Sequence, residues 1–351
     1  MLPGPDLEEI LVRHEDDVRR LAGARLLVTG GTGFVGTWLL ASLVHACDRL
    51  ALGCAIVVLT RDPAAFAAAS PSLARHGAIA LVRGDVRTFD FAAVGGADAV
   101  VHAATPASAA LARDAPLEML DTIVEGTRRV LDYARLQGRI RVLFTSSGAV
   151  YGAQPATLPA MDEDYRGGPD PLATSNAYHE GKRVAELRCA IHAERYALDV
   201  TIARLFAFVG PRLPLDRHFA IGNFVADALA GGPIAISGDG TAVRSYQYAA
   251  EMTGWLWRIF ARGAAGRAYN VGSEEAHDLA SVARAVARIA GLDPARVTIA
   301  RERRADGDVD RYVPSTARAR HELDLTRAIA LDEAIARTIA WHRAGLHGTG
   351  S

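Results

Sequence analysis

Lysine is nearly absent from this chain of 351 residues. Lys182 is the only one, and arginine fills every other place in the Lys+Arg total. A plain positive charge is therefore always Arg here, and the single exception asks for a chemical reason. Cysteine is scarce as well. Cys47, Cys54 and Cys189 are scattered and odd in number, which excludes a disulfide framework and the paired spacing of a zinc site; they read as small buried hydrophobes. Excess charge is missing, with 39 Lys+Arg against 40 Asp+Glu. No nucleic-acid or membrane partner is advertised, and any phosphate binding has to be local. Long unbroken apolar runs are missing too, so no segment reads as a membrane span. The N-terminus is acidic (Asp6, Glu8, Glu9, Asp16, Asp17) rather than basic like a secretory signal. A reducing, cytoplasmic setting is the expectation.

What the sequence does have is apolar residues, half of the total, enough for one large domain or two joined lobes. Residues 6–21 read as a short amphipathic helix lying on the domain surface, with Asp6 as N-cap and Glu9 closing a capping box. From Arg25 onward strand and helix signals alternate. Apolar runs suited to buried parallel strands fall at 25–29, 55–60, 79–83, 99–102, 141–146 and 200–205, with helical stretches at 35–46, 119–136 and 178–196. This alternation predicts an α/β fold with a doubly wound parallel sheet. After Leu205, Pro211, Pro214, Gly222, Gly231-Gly232-Pro233 and Gly238-Asp239-Gly240 cut the chain into shorter pieces. Helices are expected there at 224–230, 280–290 and 331–342. The organisation read from this is an N-terminal helical extension (1–24) and a dinucleotide-binding domain (25–206, with a return segment near 243–271). A smaller mixed α/β lobe (207–242 and 272–345) completes it.

The first strand runs into Thr29-Gly30-Gly31-Thr32-Gly33-Phe34-Val35-Gly36. Gly30 permits a tight turn, Gly33 lets backbone approach a pyrophosphate, and Gly36 lets the next helix pack closely. The free N–H groups at that helix start face the phosphates. At the end of the second strand Arg61 favours the 2′-phosphate of NADP(H), while Asp62 can face a ribose as in NAD(H) enzymes; the balance leans slightly to NADP. Asp85, followed by Val86, is placed to hold the adenine amino group or to cap the next turn.

Tyr178 and Lys182 stand at i and i+4, on one face of a helix. Moving a hydride to or from a carbinol needs a partner for the hydroxyl proton. A phenol with a reference pKa near ~10 is a poor base at neutral pH, and a nearby ammonium favours its phenolate. Lysine also suits the nicotinamide ribose hydroxyls better than a planar guanidinium does. In Thr145-Ser146-Ser147-Gly148-Ala149-Val150-Tyr151-Gly152, Ser147 lies where a hydroxyl binds the reacting oxygen beside Tyr178, with Ser146 as the alternative.

Together these motifs resemble the extended short-chain dehydrogenase/reductase family, in its nucleotide-sugar epimerase/dehydratase/ketoreductase branch. The likeness is carried also by Val101-His102-Ala103-Ala104, Gly126-Thr127, Gly210-Pro211-Arg212, Arg244-Ser245-Tyr246 and Tyr269-Asn270-Val271-Gly272. It implies a Rossmann domain in which Gly30, Thr32, Gly33, Phe34, Val35, Gly36, Arg61, Asp85, Val86, Ala103, Ala104, Tyr178 and Lys182 hold the nicotinamide dinucleotide. Ser147, Gly148, Asn223 and Arg244 would hold the nucleotide-sugar, with Asn223 and Arg244 on the diphosphate. His218 falls in the family's substrate loop and reads as structural. The resemblance also implies a homodimer built on the helices near 119–136 and 178–196.

Three departures bear on the reaction. The family's 4,6-dehydratases carry Asp-Glu before Val-Tyr-Gly and its decarboxylases keep a Glu, whereas this chain has Gly148-Ala149. Neither can move a proton, which disfavours elimination and decarboxylation. Ile123 stands where relatives carry Asn, and Ala207 where they carry Asn after Phe. The expected activity is reduction of a nucleotide-linked 4-keto-(deoxy)hexose, with Tyr178, Lys182 and Ser147 catalytic and no metal. A C4 epimerase with bound NAD is the alternative. A relocated dehydratase and a cofactor-sensing protein without turnover stand further off.

Overall fold

Each apolar run named above becomes a strand of one sheet, and a seventh strand joins them from late in the chain. The strands are β1 (Arg25–Thr29), β2 (Ala55–Thr60), β3 (Ile79–Arg83), β4 (Ala99–His102), β5 (Arg141–Ser147), β6 (Asp199–Leu205) and β7 (Ala268–Val271), in the order β7-β6-β5-β4-β1-β2-β3. Every neighbouring pair is parallel. This computed structural model describes residues 1–105, 109–138, 140–215, 219–302 and 309–347; His218 lies outside them.

The longer helices are α1 (Gly4–Arg19), α2 (Phe34–Leu50), α3 (Pro116–Leu136), α4 (Ala177–Tyr196), α5 (Ala220–Leu229), α6 (Ala249–Arg262), α7 (Leu279–Ala290) and α8 (Leu331–His347). They cover both faces of the sheet, as strands buried on both sides require. Alternation along β1 divides the core. Leu26 and Val28 join Trp38, Leu39 and Trp257 on one face, and Leu27 joins Met119, Ile123 and Val130 on the other. This is a doubly wound Rossmann-type α/β fold. The strand order reverses between β1 and β4, which run in register from Leu26↔Ala99 to Thr29↔His102. Their carboxyl ends thus open one crevice at the switch point, where such sheets bind ligands.

The N-terminal helix departs from expectation. It begins at Gly4, with Pro3 before it and no side-chain cap. Asp6 does not cap it. Its buried carboxylate accepts from the Tyr248 hydroxyl at 2.6 Å and from Arg337 at 2.7 Å, partners too distant in sequence to be anticipated. Nor does the helix merely lie on the surface. Leu2, Ile10, Leu11 and Val18 belong to the main core, and Asp17 takes hydrogen bonds from Arg258 and Arg262 of α6.

Beyond β6 the chain forms short paired strands. Ile234–Ile236 pairs with Val297–Ile299, and Val243–Arg244 lies between His277–Asp278 and Arg311–Tyr312. Helix α5 starts at Ala220, four residues before the expected 224, so Asn223 lies in its first turn, exposed, rather than ahead of it. Among the described residues no helix is long and apolar enough to cross a membrane.

Candidate active site

The glycine loop closes the crevice from the β1 side. Gly30 takes φ +73°, and a Cβ there would run into the backbone of Ala103 and Ala104 at the end of β4. A Cβ at Gly36 would strike Gly30 and Gly31, so α2 packs directly on the loop. Gly33 differs: its Cβ would meet only the Gly30 carbonyl oxygen, at an ordinary 3.5 Å. Its side faces open space, and it is the residue that precedes α2. Thr32 and Gly33 are exposed, and Phe34 and Val35 half-buried. The free N–H groups at the start of α2 border this surface. A cradle of this shape fits a pyrophosphate.

At the end of β2 the guanidinium of Arg61 is exposed, whereas Asp62 uses Oδ1 to cap the short helix Pro63–Ala69 through Ala65 N–H, at 3.0 Å. Asp85 caps its own turn through Arg87 N–H at 2.9 Å and pairs with the Arg87 side chain at 2.8 Å. Hydrogen bonding from Arg87 holds its carboxyl below the ordinary value. Val86 is buried, and a Cβ at Gly126 would lie 2.8 Å from its side chain, so α3 closes onto this turn because Gly126 is bare.

Lys182 is buried between layers. Its Nζ donates to Thr145 O at 2.6 Å and to Thr105 Oγ1 at 2.8 Å, and lies 4.7 Å from the centre of the Phe144 ring. Phe144 stacks in turn on His102, whose ring bridges Thr29 Oγ1 at 2.7 Å and Thr127 Oγ1 at 3.0 Å. Burial, reinforced by the Lys182 charge, pushes His102 down to about 3, so it is a neutral strut. Burial also pushes Lys182 down to about 7, against the opposing pull of Glu186. Glu186 is one helical turn beyond Lys182. It accepts from Ser146 Oγ at 2.6 Å and from Arg204 at 2.7 Å.

The two serines therefore part company: Ser146 Oγ donates to Glu186, whereas Ser147 Oγ accepts the Ala149 N–H at 3.1 Å. Burial raises the Tyr178 phenol above its ordinary value, and the hydrogen bond with Ser147 draws it back. The lysine was expected to lower that value. In the fold burial sets the direction, and Ser147, not Lys182, is the group that opposes it. Ile123 and Cys189 belong to the buried apolar cluster on this side of the sheet, and a Cβ at Gly181, next to Lys182 in the chain, would lie 3.1 Å from Ile123.

Arg244 donates to the carbonyls of Val243 and Asp310 at 2.9 and 3.0 Å and pairs with the Asp310 carboxylate. Gly148 is buried. Sequence reasoning missed Thr105 and Glu186. Of these, only Glu186 left a signal, its i+4 spacing from Lys182. Among the described residues no group of three His, Cys, Asp or Glu is placed to hold a metal.

Residues 26–272 match the NAD dependent epimerase/dehydratase family. The chain belongs to that family. UDP-glucuronic acid decarboxylase 6 of Arabidopsis thaliana is 34% identical over 238 residues, which cover 67% of this chain and 65% of that protein. UDP-glucuronic acid decarboxylase 1 of the same plant is 29% identical over 318 residues, covering 90% and 69%. The chain thus spans about two thirds of the length of these relatives. Among solved structures, an epimerase of Methanothermobacter thermautotrophicus superposes with a TM-score of 0.78 at 25% identity, over 96% of this chain and 97% of its own. The dTDP-glucose 4,6-dehydratase DesIV of Streptomyces venezuelae, with NAD bound, gives 0.78 at 25%, over 92% and 98%. For an NAD dependent epimerase/dehydratase family member, the crevice between β1 and β4 is the place to look for the dinucleotide.

Proposed function

We propose that this protein is a nicotinamide-dependent oxidoreductase acting on a nucleotide-linked hexose, with reduction of a 4-keto group as its reaction. The observation that carries the reading is the buried Lys182, one helical turn after Tyr178 and tied through Thr145 O to β5, the strand that ends at Ser147 ahead of two residues without a carboxyl, Gly148 and Ala149. A bound nicotinamide supplies the hydride. Ser147 holds the carbonyl oxygen and Tyr178 gives it a proton. Lys182 favours the phenolate that results and holds the ribose hydroxyls.

The glycine cradle, Val86, Ala103 and Ala104 form the dinucleotide cleft in this reading. The exposed Arg61, beside an Asp62 already engaged as a cap, supports a slight preference for NADP(H) over NAD(H). Arg244 takes the diphosphate: its present partner Asp310 is an exposed carboxylate, and a rim pair of that kind yields readily to a doubly charged ligand. Asn223, exposed in the first turn of α5, is the second diphosphate contact in this reading. Elimination and decarboxylation each need a carboxyl beside the sugar, and 148–149 offer none.

A second reading, C4 epimerisation with bound NAD, uses the same residues; the likeness to the methanogen epimerase at 25% identity favours it. One experiment separates these. The protein is incubated with nucleotide-sugars, nucleotide-4-keto-sugars and UDP-glucuronic acid while NADH or NADPH absorbance is followed and products are separated. Stoichiometric cofactor oxidation with a keto-sugar is expected. Interconversion of two sugars without net cofactor change establishes the epimerase, and carbon dioxide from UDP-glucuronic acid overturns both.

A further inference from the structure

An ion pair joins the helix of Lys182 to the sheet at the carboxyl end of β5. Glu186 lies on α4 one turn after Lys182, and Arg204 lies on β6 in register with Ser146 of β5. Strands β5 and β6 turn Val142, Phe144, Val200 and Ile202 toward Ala185 and Cys189 of α4. The same alternation brings Ser146 and Arg204 to that face. Glu186 is buried there, and the Arg204 side chain is only 15% exposed.

The guanidinium grips the carboxylate as a fork, Nε on Oε1 at 3.0 Å and Nη2 on Oε2 at 2.7 Å, which fixes the geometry of both groups. Two hydrogen bonds lead away from the pair. Ser146 Oγ donates to Glu186 Oε1 at 2.6 Å. Arg204 Nη1 donates at 2.9 Å to the Tyr151 hydroxyl, which donates in turn to Asn270 Oδ1 on β7 at 2.7 Å. Ser146 is the residue before Ser147, and Tyr151 ends the short helical turn Gly148–Tyr151 that follows it. The chain is thus held on both sides of Ser147 by one ion pair.

The same pair holds α4. Lys182 reaches Thr145 O at 2.6 Å, and Glu186 reaches Ser146 Oγ at the same distance. Residues one turn apart on the helix therefore grip successive residues of β5. The lysine grip is an ammonium on a flexible stem, whereas the glutamate grip is braced by Arg204. Apolar residues of similar size often stabilise a fold as well as a buried ion pair does, so what this pair adds is placement.

We propose that Glu186 is a positioning residue: held in the Arg204 fork, it ties α4 to β5 through Ser146 and so sets Tyr178 and Lys182 against Ser147. This rests on the reading of Tyr178, Lys182 and Ser147 as the groups that act on cofactor and sugar.

The test separates placement from stability. Glu186→Leu combined with Arg204→Met removes both charges and leaves neither without a partner, so the denaturant midpoint of this double variant should stay close to the parent's. Ser146→Ala keeps the ion pair and removes only its tie to β5. With a nucleotide-4-keto-hexose that the parent reduces, the double variant and Ser146→Ala should each lower kcat about tenfold, with KM and the affinity for NADH or NADPH within about twofold. Ser146→Ala added to the double variant should lower kcat no further. Parental kcat in Ser146→Ala or in the folded double variant overturns the positioning role alone, as does a further loss when the two are combined. Turnover that vanishes in Ser146→Ala and survives in Ser147→Ala overturns the reading of Ser147. A parent that acts on no nucleotide-sugar overturns the proposed function, and either of these last two results takes the positioning role with it.

Discussion

The amine of Lys182 is held 2.8 Å from the hydroxyl of Thr105, just past the end of β4. Among the described residues Thr105 is the side-chain acceptor that Lys182 uses, and its other hydrogen bond goes to the Thr145 carbonyl. Losing one hydrogen bond to a charged group costs about 1–2 kcal/mol, or about five- to thirtyfold in rate if it acts in the transition state. Thr105→Val should therefore lower kcat by about that factor, and Thr105→Ser should restore most of it. Steady-state kinetics of the three proteins checks this, and a valine variant as fast as the parent would remove Thr105 from the site.

The burial of Lys182 has a consequence for stability. In the unfolded chain a lysine keeps its proton to about pH 10.4, whereas in the fold this one releases it at about 7. Below pH 7 both states carry the charge, and the full cost of burying it stands. Between the two values the unfolded chain binds the extra proton, so stability rises with pH. Lys182→Met, free of that charge, should gain on the parent most at pH 6. The advantage should shrink by about 2–3 kcal/mol by pH 9, while turnover is lost at both. Denaturant melts of the nucleotide-free proteins measure the difference, and a gap that stays constant with pH refutes the depressed amine.

The three glycines of the loop should fail in different ways. Ala at Gly30 faces both φ +73° and the Ala103 backbone, and Ala at Gly36 faces Gly30 itself. Each should lower stability by about 2–4 kcal/mol. Ala at Gly33 meets only an ordinary 3.5 Å contact within the chain, so that variant should melt with the parent. It should nonetheless bind NAD or NADP at least about tenfold more weakly, because its methyl stands where pyrophosphate approaches. Melting curves and nucleotide titrations together decide. A Gly33→Ala variant with full affinity would place the phosphates elsewhere.

Locally encoded features were readable from the sequence, and features made by distant partners were not. The β1 and β2 boundaries follow from short apolar runs, and the Tyr178–Lys182 pairing follows from helical spacing. The two serines adjoin, so spacing alone could not separate them. The fold does so by giving Ser146 to Glu186 and Ser147 to the Ala149 N–H. Asp6 carried every local mark of a cap, yet Tyr248 and Arg337 claim its carboxylate. The packing of Tyr312 against Gly148 was invisible for the same reason, since a strand of two residues has no period to detect and is held in place by its pairing with Val243–Arg244.

Helix α4 carries Tyr178 and Lys182 on one side and leaves Val184, Leu187 and Ile191 exposed on another, at i, i+3 and i+7. Leu136 at the end of the adjoining α3 is exposed too. Apolar side chains at helical spacing form a stripe suited to covering by the same stripe of a second copy across a two-fold axis, the homodimer expected from the sequence. Burying a leucine is worth about 1.5–3 kcal/mol, and two-fold symmetry counts each substitution twice. Leu187→Glu should thus weaken the dimer by at least about a hundredfold, with the unfolding midpoint of the dissociated chain little changed. Sedimentation equilibrium at micromolar protein checks it: the parent should run as a dimer and the variant as a monomer. A parent that is monomeric at that concentration removes the dimer, and with it any role for this stripe in steadying the helix that carries Tyr178.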